Sequence, residues 1–154
     1  MSQKIIEDYV KAIYQICVVS ETARANTGVL ARRIGVSDGT ASAMIRTLAD
    51  AGLVAFTSYE GAQLTETGRL LAMRVVRRHR LIVSLFSTVL DMDSNEMHEE
   101  AELLEHAVSE KLADRIDSFL GQPTVDPHGD PIPRRDGSLP PVACQNSGPE
   151  SAPP

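Results

Sequence analysis

The chain has 154 residues, a mass of 16.7 kDa, 42% apolar residues and a net charge of −6, which is apolar enough to bury a core and excludes an acidic disordered segment. The longest apolar stretch, Leu81 to Leu90, is broken by Ser84, Ser87 and Thr88 and is about half of the ~20 residues needed to cross a bilayer, which argues against a membrane span. The charge is divided: residues 1–90 hold 11 Lys/Arg against 7 Asp/Glu, and residues 91–154 hold 4 against 14, so a basic part suited to a polyanion precedes an acidic part suited to solvation or cations.

The first eight residues carry Glu7 and Asp8 where an export signal has its apolar segment, so the chain reads as cytoplasmic. Cys17 and Cys144 have no metal-ligand spacing and take no part in the reading.

In chain order, Ile6, Tyr9, Val10, Ile13, Tyr14 and Cys17 recur at intervals of three and four and predict a first helix, with Asp8 and Lys11 off its apolar stripe. Thr27 is placed to cap a short helix carrying Leu30 and Ile34, Gly35 to stop it in the left-handed conformation, and Ser37 to cap a second helix whose Ala41, Ile45 and Leu48 face inward. Gly52 ends that helix. Leu53 to Thr57, a turn over Ser58 to Ala62, and Gln63 to Thr65 read as a small hairpin. Thr65 then caps a long helix to about Leu90, followed by an acidic helix over roughly 95–107 and another over 109–119. All nine prolines lie at or beyond Pro123, and the segment from Gln122 reads as an extended or mobile tail.

Two helices joined at Gly35-Val36-Ser37 and followed by a hairpin predict a winged helix-turn-helix, whose second helix enters the DNA major groove. The outward positions of that helix are Ser37, Asp38, Gly39, Thr40, Ser42, Ala43 and Arg46. The hydroxyls can bond phosphates or base edges, and Arg46 can neutralise a phosphate. Long bidentate readers are absent from the face, so readout by small contacts and DNA shape is expected. Helix-turn-helix geometry also occurs in enzymes and docking domains; the small polar outward face and the basic surroundings favour double-stranded DNA. Arg74, Arg77, Arg78 and Arg80 on the long helix either extend that basic surface or form a solvated face.

On the acidic helix, His98, Glu102, Glu105 and His106 fall in one sector about 100° wide at ~100° per residue, beside an apolar stripe of Met97, Ala101, Leu104 and Val108. Carboxylates with imidazoles suit a divalent ion such as Mn2+ or Fe2+, and the lack of thiolate argues against structural zinc. Glu99, Glu100 and Glu110 read as solvated. His98-Glu99-Glu100-Ala101-Glu102 fails the zinc-protease pattern, which needs a second His where Glu102 stands, and there is no second Glu-x-x-His copy for a di-iron bundle. No nucleophile set or phosphate loop supports an enzyme.

Glu7-Asp8-Tyr9 with Ile13-Tyr14, Leu64-Thr65-Glu66-Thr67-Gly68, Arg77-Arg78-His79-Arg80-Leu81, His98-Glu99 with Glu102-x-x-Glu105-His106, and Asp130-Pro131-Ile132-Pro133 together resemble the diphtheria-toxin-repressor family of metal-dependent transcriptional repressors, over about residues 4–135. The resemblance implies a mainly α fold with a β-hairpin wing: a winged helix-turn-helix over 1–70, a helical metal-binding and dimerisation domain over 71–121, and a Pro-rich tail over 122–154 in place of the SH3-like domain of the longer iron repressors. It implies a homodimer, formed through the helices after residue 90, that binds a palindromic operator near metal-uptake genes when metal is replete. The iron branch uses a Met and a Cys where this sequence has Asp8 and Glu102, as in the manganese transport regulator branch. Hard oxygen in place of soft sulfur favours Mn2+ over Fe2+. The resemblance implies Asp8, Glu102, Glu105 and His106 as main ligands, with His79 and His98 matching further family ligands. Lys11 stands where manganese-branch relatives have a Glu, and Val83 where iron-branch relatives have one. Two arrangements follow: a single ion, or a second one held through His79, Glu102, Glu105 and His98.

Overall fold

The computed structural model describes residues 1–141; the remainder of the expected tail, with Cys144, lies outside the described residues. Six helices and one hairpin follow in order: α1 (Gln3–Ser20), α2 (Thr27–Ile34), α3 (Asp38–Asp50), β1 (Val54–Thr57), β2 (Gly61–Leu64), α4 (Glu66–Val89), α5 (Ser94–Leu104) and α6 (Glu110–Phe119). Local chemistry sets most boundaries. Ser37 caps α3 by accepting from the Thr40 amide, Thr65 caps α4 through the Gly68 amide, and Ser109 caps α6 through the Leu112 amide, each satisfying a first-turn donor that no helical carbonyl can reach. The cap of α2 is Asn26, not Thr27: its side chain accepts from the Gly28 and Val29 amides. Gly35, at φ 81°, makes the sharp turn between α2 and α3 in a conformation that side chains with a Cβ resist.

The first core joins Tyr9, Ile13 and Ile16 of α1 to Leu30 of α2, Ile45 and Leu48 of α3, and Val54 and Ala62 of the hairpin. β1 and β2 pair antiparallel with Val54 opposite Leu64 and Thr57 opposite Gly61, and Ala25 adds an isolated bridge to Ala62. The hairpin lies against the start of α4 so closely that a Cβ on Gly68 would stand 2.0 Å from the Leu53 carbonyl oxygen. Only glycine fits there.

The 24 residues of α4 span roughly 36 Å at ~1.5 Å per residue and form the connecting rod of the molecule. Its first half packs Ala72, Met73 and Val76 on Val10 of α1. Its second half packs Leu81 against Ala113 and Ile116 of α6, and Ile82 and Val83 against Met97 and Ala101 of α5.

The expectation of an unpacked tail from Gln122 fails as far as the description runs. Ile132 is 2% exposed within the cluster of Leu81, Ala113 and Ile116, and Pro133 is also fully buried. Val125 and Pro131 form a bridge, the Asp126 carboxylate accepts from the His128 and Asp130 amides, and Arg80 bonds the Pro131 carbonyl. The segment then returns along α4, where Arg69 bonds the Gly137 carbonyl at 3.0 Å. A low apolar count was a poor guide, because Ile132 and Pro133 enter a groove already built by α4 and α6. Prolines also reduce the entropy lost on ordering.

Candidate metal centre and nucleic-acid interface

The acidic helix is shorter than expected. α5 ends at Leu104, so Glu105 is its C-terminal cap and His106 lies in the turn beyond it. That turn carries both side chains back toward α1. Asp8, Glu105 and His106 each bring one ligand atom to a common point, all within 4.8 Å of one another. His106 Nε2 stands 2.7 Å from Asp8 Oδ1 and 3.4 Å from Glu105 Oε1. Its other nitrogen, Nδ1, donates to Glu7 Oε2 at 2.7 Å. A neutral imidazole donating from Nδ1 presents a lone pair at Nε2. Three lone-pair atoms therefore converge, and such a point demands a proton or a cation. Two carboxylate oxygens and one imidazole nitrogen, without thiolate, fit a moderately hard divalent ion.

Glu105 is the hub. It is 1% exposed; its Oε1 and Oε2 each accept from Lys11 Nζ at 2.8 Å, and Oε2 also meets His79 Nδ1 at 2.6 Å. Burial by itself would raise its pKa, but the His79 hydrogen bond and the Lys11 charge outweigh burial and hold the carboxyl below the ordinary Glu range. With His79 Nδ1 donating to Glu105, its Nε2 accepts from His98 Nδ1 at 3.2 Å. Burial, then the neighbouring His79, lowers the pKa of His98. Glu102 lies outside the converging trio: it is more than half exposed, 3.6 Å from His98 Nε2 and 4.0 Å from Lys11 Nζ.

Lys11 was expected off the buried stripe and is buried instead, because Glu105 supplies the opposite charge its burial requires. Glu7, absent from the expected site, is 4% exposed and sits between His106 and Arg78, whose Nη2 lies 3.0 Å away as an ion pair. Burial raises its pKa, and hydrogen bonds from His106 and Gln3 with the charge of Arg78 more than offset that, leaving it low. The spacing of Glu7 and Lys11, four apart on α1, is the one local sign that they share a face. An open cleft of about 490 Å³ between α1, α2 and α5, lined by Asp8, Lys11, Gln15, Arg33, Glu102 and Glu105, connects the centre to solvent.

The outward positions of α3 face solvent. Ser37, Asp38, Gly39, Thr40, Ala43 and Arg46 are exposed, and Ser42 is half-buried. The Ser37 hydroxyl is already engaged by Thr40, at 2.9 Å to its hydroxyl and 3.1 Å to its amide, so it serves the fold first. Arg24 beside the wing and Arg32 and Arg33 on α2 add cations that the sequence reading passed over; Arg32 and Arg33 are exposed and Arg24 is half-buried. Of the arginines of α4 read as either extending this surface or forming a solvated face, Arg77, Arg78 and Arg80 do neither, while Arg74 is exposed. Arg77 pairs with Asp114 and Asp117 at 3.2 Å each, and Arg78 with Glu7 and Glu110. Arg77 and Arg78 are only 3% and 8% exposed. They hold α6 and α1 to the rod. Arg80 is held by the Pro131 carbonyl.

Residues 1–62 match the N-terminal DNA binding domain of iron dependent repressors, and residues 65–134 match the metal binding and dimerisation domain of the same proteins. The diphtheria toxin repressor of Corynebacterium diphtheriae is 33% identical over 130 residues, covering 84% of this chain, which spans 57% of that protein's length. The transcriptional regulator MntR of Escherichia coli is 34% identical over 117 residues, covering 76% of this chain and 74% of that protein. Among solved structures, a manganese-dependent transcriptional repressor in complex with manganese superposes with a TM-score of 0.78 at 47% identity, over 88% of this chain and 61% of that one. With its helix-turn-helix, hairpin, connecting helix and the cluster of Asp8, Glu105 and His106, the chain belongs to the iron-dependent repressor family.

Proposed function

We propose that this chain is a metal-dependent, DNA-binding transcriptional repressor of metal-ion uptake genes, acting in the cytoplasm as a homodimer on double-stranded operator DNA, with Mn2+ favoured over Fe2+. One observation carries the reading: Asp8 belongs to the helix that forms the core of the winged domain, while Glu105 and His106 follow α5 in the second half, and their ligand atoms lie within 4.8 Å. Asp8, Glu105 and His106 are the residues to hold the ion, with Glu102 as the fourth donor and His79 and His98 behind Glu105. A divalent ion bound there supplies a cross-link between the two halves, favouring one separation of the paired winged domains. Without it, Asp8 and Glu105 repel one another and the arrangement is less constrained.

The choice of Mn2+ rests on the all-oxygen and imidazole donors, and is supported by the similar manganese-dependent repressor. In the dimer, the exposed apolar side chains Leu103 and Leu104 of α5 and Leu112 and Phe119 of α6 are the surface for a second copy. Ser37, Asp38, Gly39, Thr40, Ser42, Ala43 and Arg46 face the major groove. The reading includes no catalytic step.

The test is fluorescence anisotropy on labelled DNA from the chain's own upstream region, at fixed salt, with Mn2+, with anaerobic Fe2+ and with chelator. Tight binding that requires metal and responds best to Mn2+ is the expected outcome. A stronger response to Fe2+ reverses the choice of ion. Equal binding in chelator refutes metal dependence and makes the chain a metal-independent winged-helix regulator.

A further inference from the structure

We propose that the ammonium of Lys11 is a permanent second cation of this centre, so that each protomer takes a single divalent ion, at Asp8, Glu105 and His106 with Glu102 as the fourth donor. The inference rests on the metal-dependent reading above. Lys11 lies one helical turn beyond Asp8 on α1, its side chain is 9% exposed, and its Nζ bonds both oxygens of Glu105 at 2.8 Å while standing 4.0 Å from Glu102 Oε1. Charge-assisted bonds of this kind to a buried carboxylate are strong and mark a fixed group rather than a solvated one.

The ammonium also engages the carboxylates that a second ion would need. Glu105 Oε1 faces the converging trio, while Oε2 faces His79; beyond His79 come His98 and then Glu102. Lys11 joins the two carboxylates of that second group, Glu105 and Glu102. The remaining donors there are imidazoles already paired with each other and with Glu105.

Charge balance points the same way. Four carboxylates, Glu7, Asp8, Glu102 and Glu105, surround the centre together with two fixed cations, Lys11 and Arg78. Imidazoles that ligate a metal are neutral. The cluster then carries two negative charges in excess, which one divalent ion cancels. A second ion would leave two positive charges in excess around a Glu105 that is 1% exposed, and unpaired charge in such surroundings is strongly disfavoured. Glu110 meets this group only through Arg78, whereas Glu7, Asp8, Glu102 and Glu105 each face His106, His98 or Lys11 directly.

Mn2+ binding to the purified full chain tests this, by calorimetric stoichiometry and by electron paramagnetic resonance of the bound ion. The wild type should bind one Mn2+ per protomer, with the spectrum of an isolated ion that saturates at one equivalent. Two ions with a spin-coupled spectrum would overturn the role of Lys11 and leave the metal-dependent reading standing; no binding at all would overturn both. Lys11→Glu removes the built-in cation and adds a carboxylate, and should bind two ions per protomer. A variant that is folded by circular dichroism and still binds one would refute the proposal. Lys11→Gln removes the charge alone and, by ending its repulsion of the ion and its hold on Glu105, should bind the first Mn2+ at least ~10-fold more tightly. Unchanged or weaker binding would refute it independently of the Lys11→Glu result.

Discussion

Replacing Asp8 by Ala separates the fold from the switch. The Asp8 side chain is 38% exposed and its ion-pair contact is a 2.7 Å approach to His106 Nε2. A pair so open to water contributes about 0–1 kcal/mol to stability, and removing Asp8 also relieves its repulsion by Glu105. The thermal midpoint in chelator should therefore move by no more than about 2–4 °C, the shift expected for ~1 kcal/mol in a protein of this size. The metal response should change far more. Asp8 is the only member of the converging trio that belongs to the first half of the chain, so its loss removes the cross-link while leaving Glu105 and His106 in place. Interdomain coupling of about 1–3 kcal/mol corresponds to a ~5- to 150-fold gain in DNA affinity on adding metal. Asp8→Ala should reduce that gain to about one. Anisotropy on labelled duplex, run with Mn2+ and with chelator at one salt concentration, gives the ratio, and thermal unfolding followed by circular dichroism gives the stability. A folded Asp8→Ala protein that keeps the wild-type ratio would refute the cross-link, and a variant that unfolds would refute the assignment of Asp8 to function rather than structure.

Ile132→Ala removes a side chain that is 2% exposed against Leu81, Ala113 and Ile116 and should cost about 2–5 kcal/mol; a loss below ~0.5 kcal/mol in urea unfolding would mean that the segment after α6 does not pack. Arg46→Ala should weaken DNA binding and reduce the salt slope by about one phosphate contact, with little change in stability because Arg46 is exposed. Arg77→Ala should do the reverse, costing about 1–3 kcal/mol by leaving Asp117 without its partner while Asp114 keeps Arg135; if it instead lowers DNA affinity without loss of stability, Arg77 belongs to the DNA surface. In chelator, stability should decline with acid in two ranges. His98, whose pKa lies below its ordinary 6.5, favours the fold above that value and gives a shallow loss as pH falls below it. Glu7 and Glu105, both held below the ordinary 4.5, contribute stability that is complete above 4.5 and is lost steeply as pH falls through their folded-state values. Urea midpoints that stay level from pH 6 to about pH 3.5 would contradict this assignment.

Much of the architecture was legible because it is decided within a few residues. The caps Ser37 and Thr65 and the turn at Gly35 act on amides and dihedrals beside them. The 3.6-residue periodicity of α1 and the small inward residues of α3 likewise need no distant partner to be read. The grouping of His98, Glu102, Glu105 and His106 was legible as a helical face; that α5 stops at Leu104 and turns Glu105 and His106 toward α1 was not. Asp8 entered the candidate site through resemblance alone, since nothing near it in the chain marks it out.

The misread positions share one cause. Lys11 and Glu105 are 94 residues apart, Glu7 and His106 are 99 apart, and Arg77 reaches Asp114 and Asp117 across 37 and 40. A charged side chain is placed in water by default and becomes a buried element only when a distant segment delivers the opposite charge. Ile132 and Pro133 are the apolar version of the same case: a proline-rich stretch without periodicity finds its groove only after α4 and α6 have formed it. Short-range hydrogen bonding and periodicity thus determined the elements from sequence alone, whereas the tertiary structure decided which charges are buried, because desolvation and pairing depend on neighbours that the chain brings together only by folding.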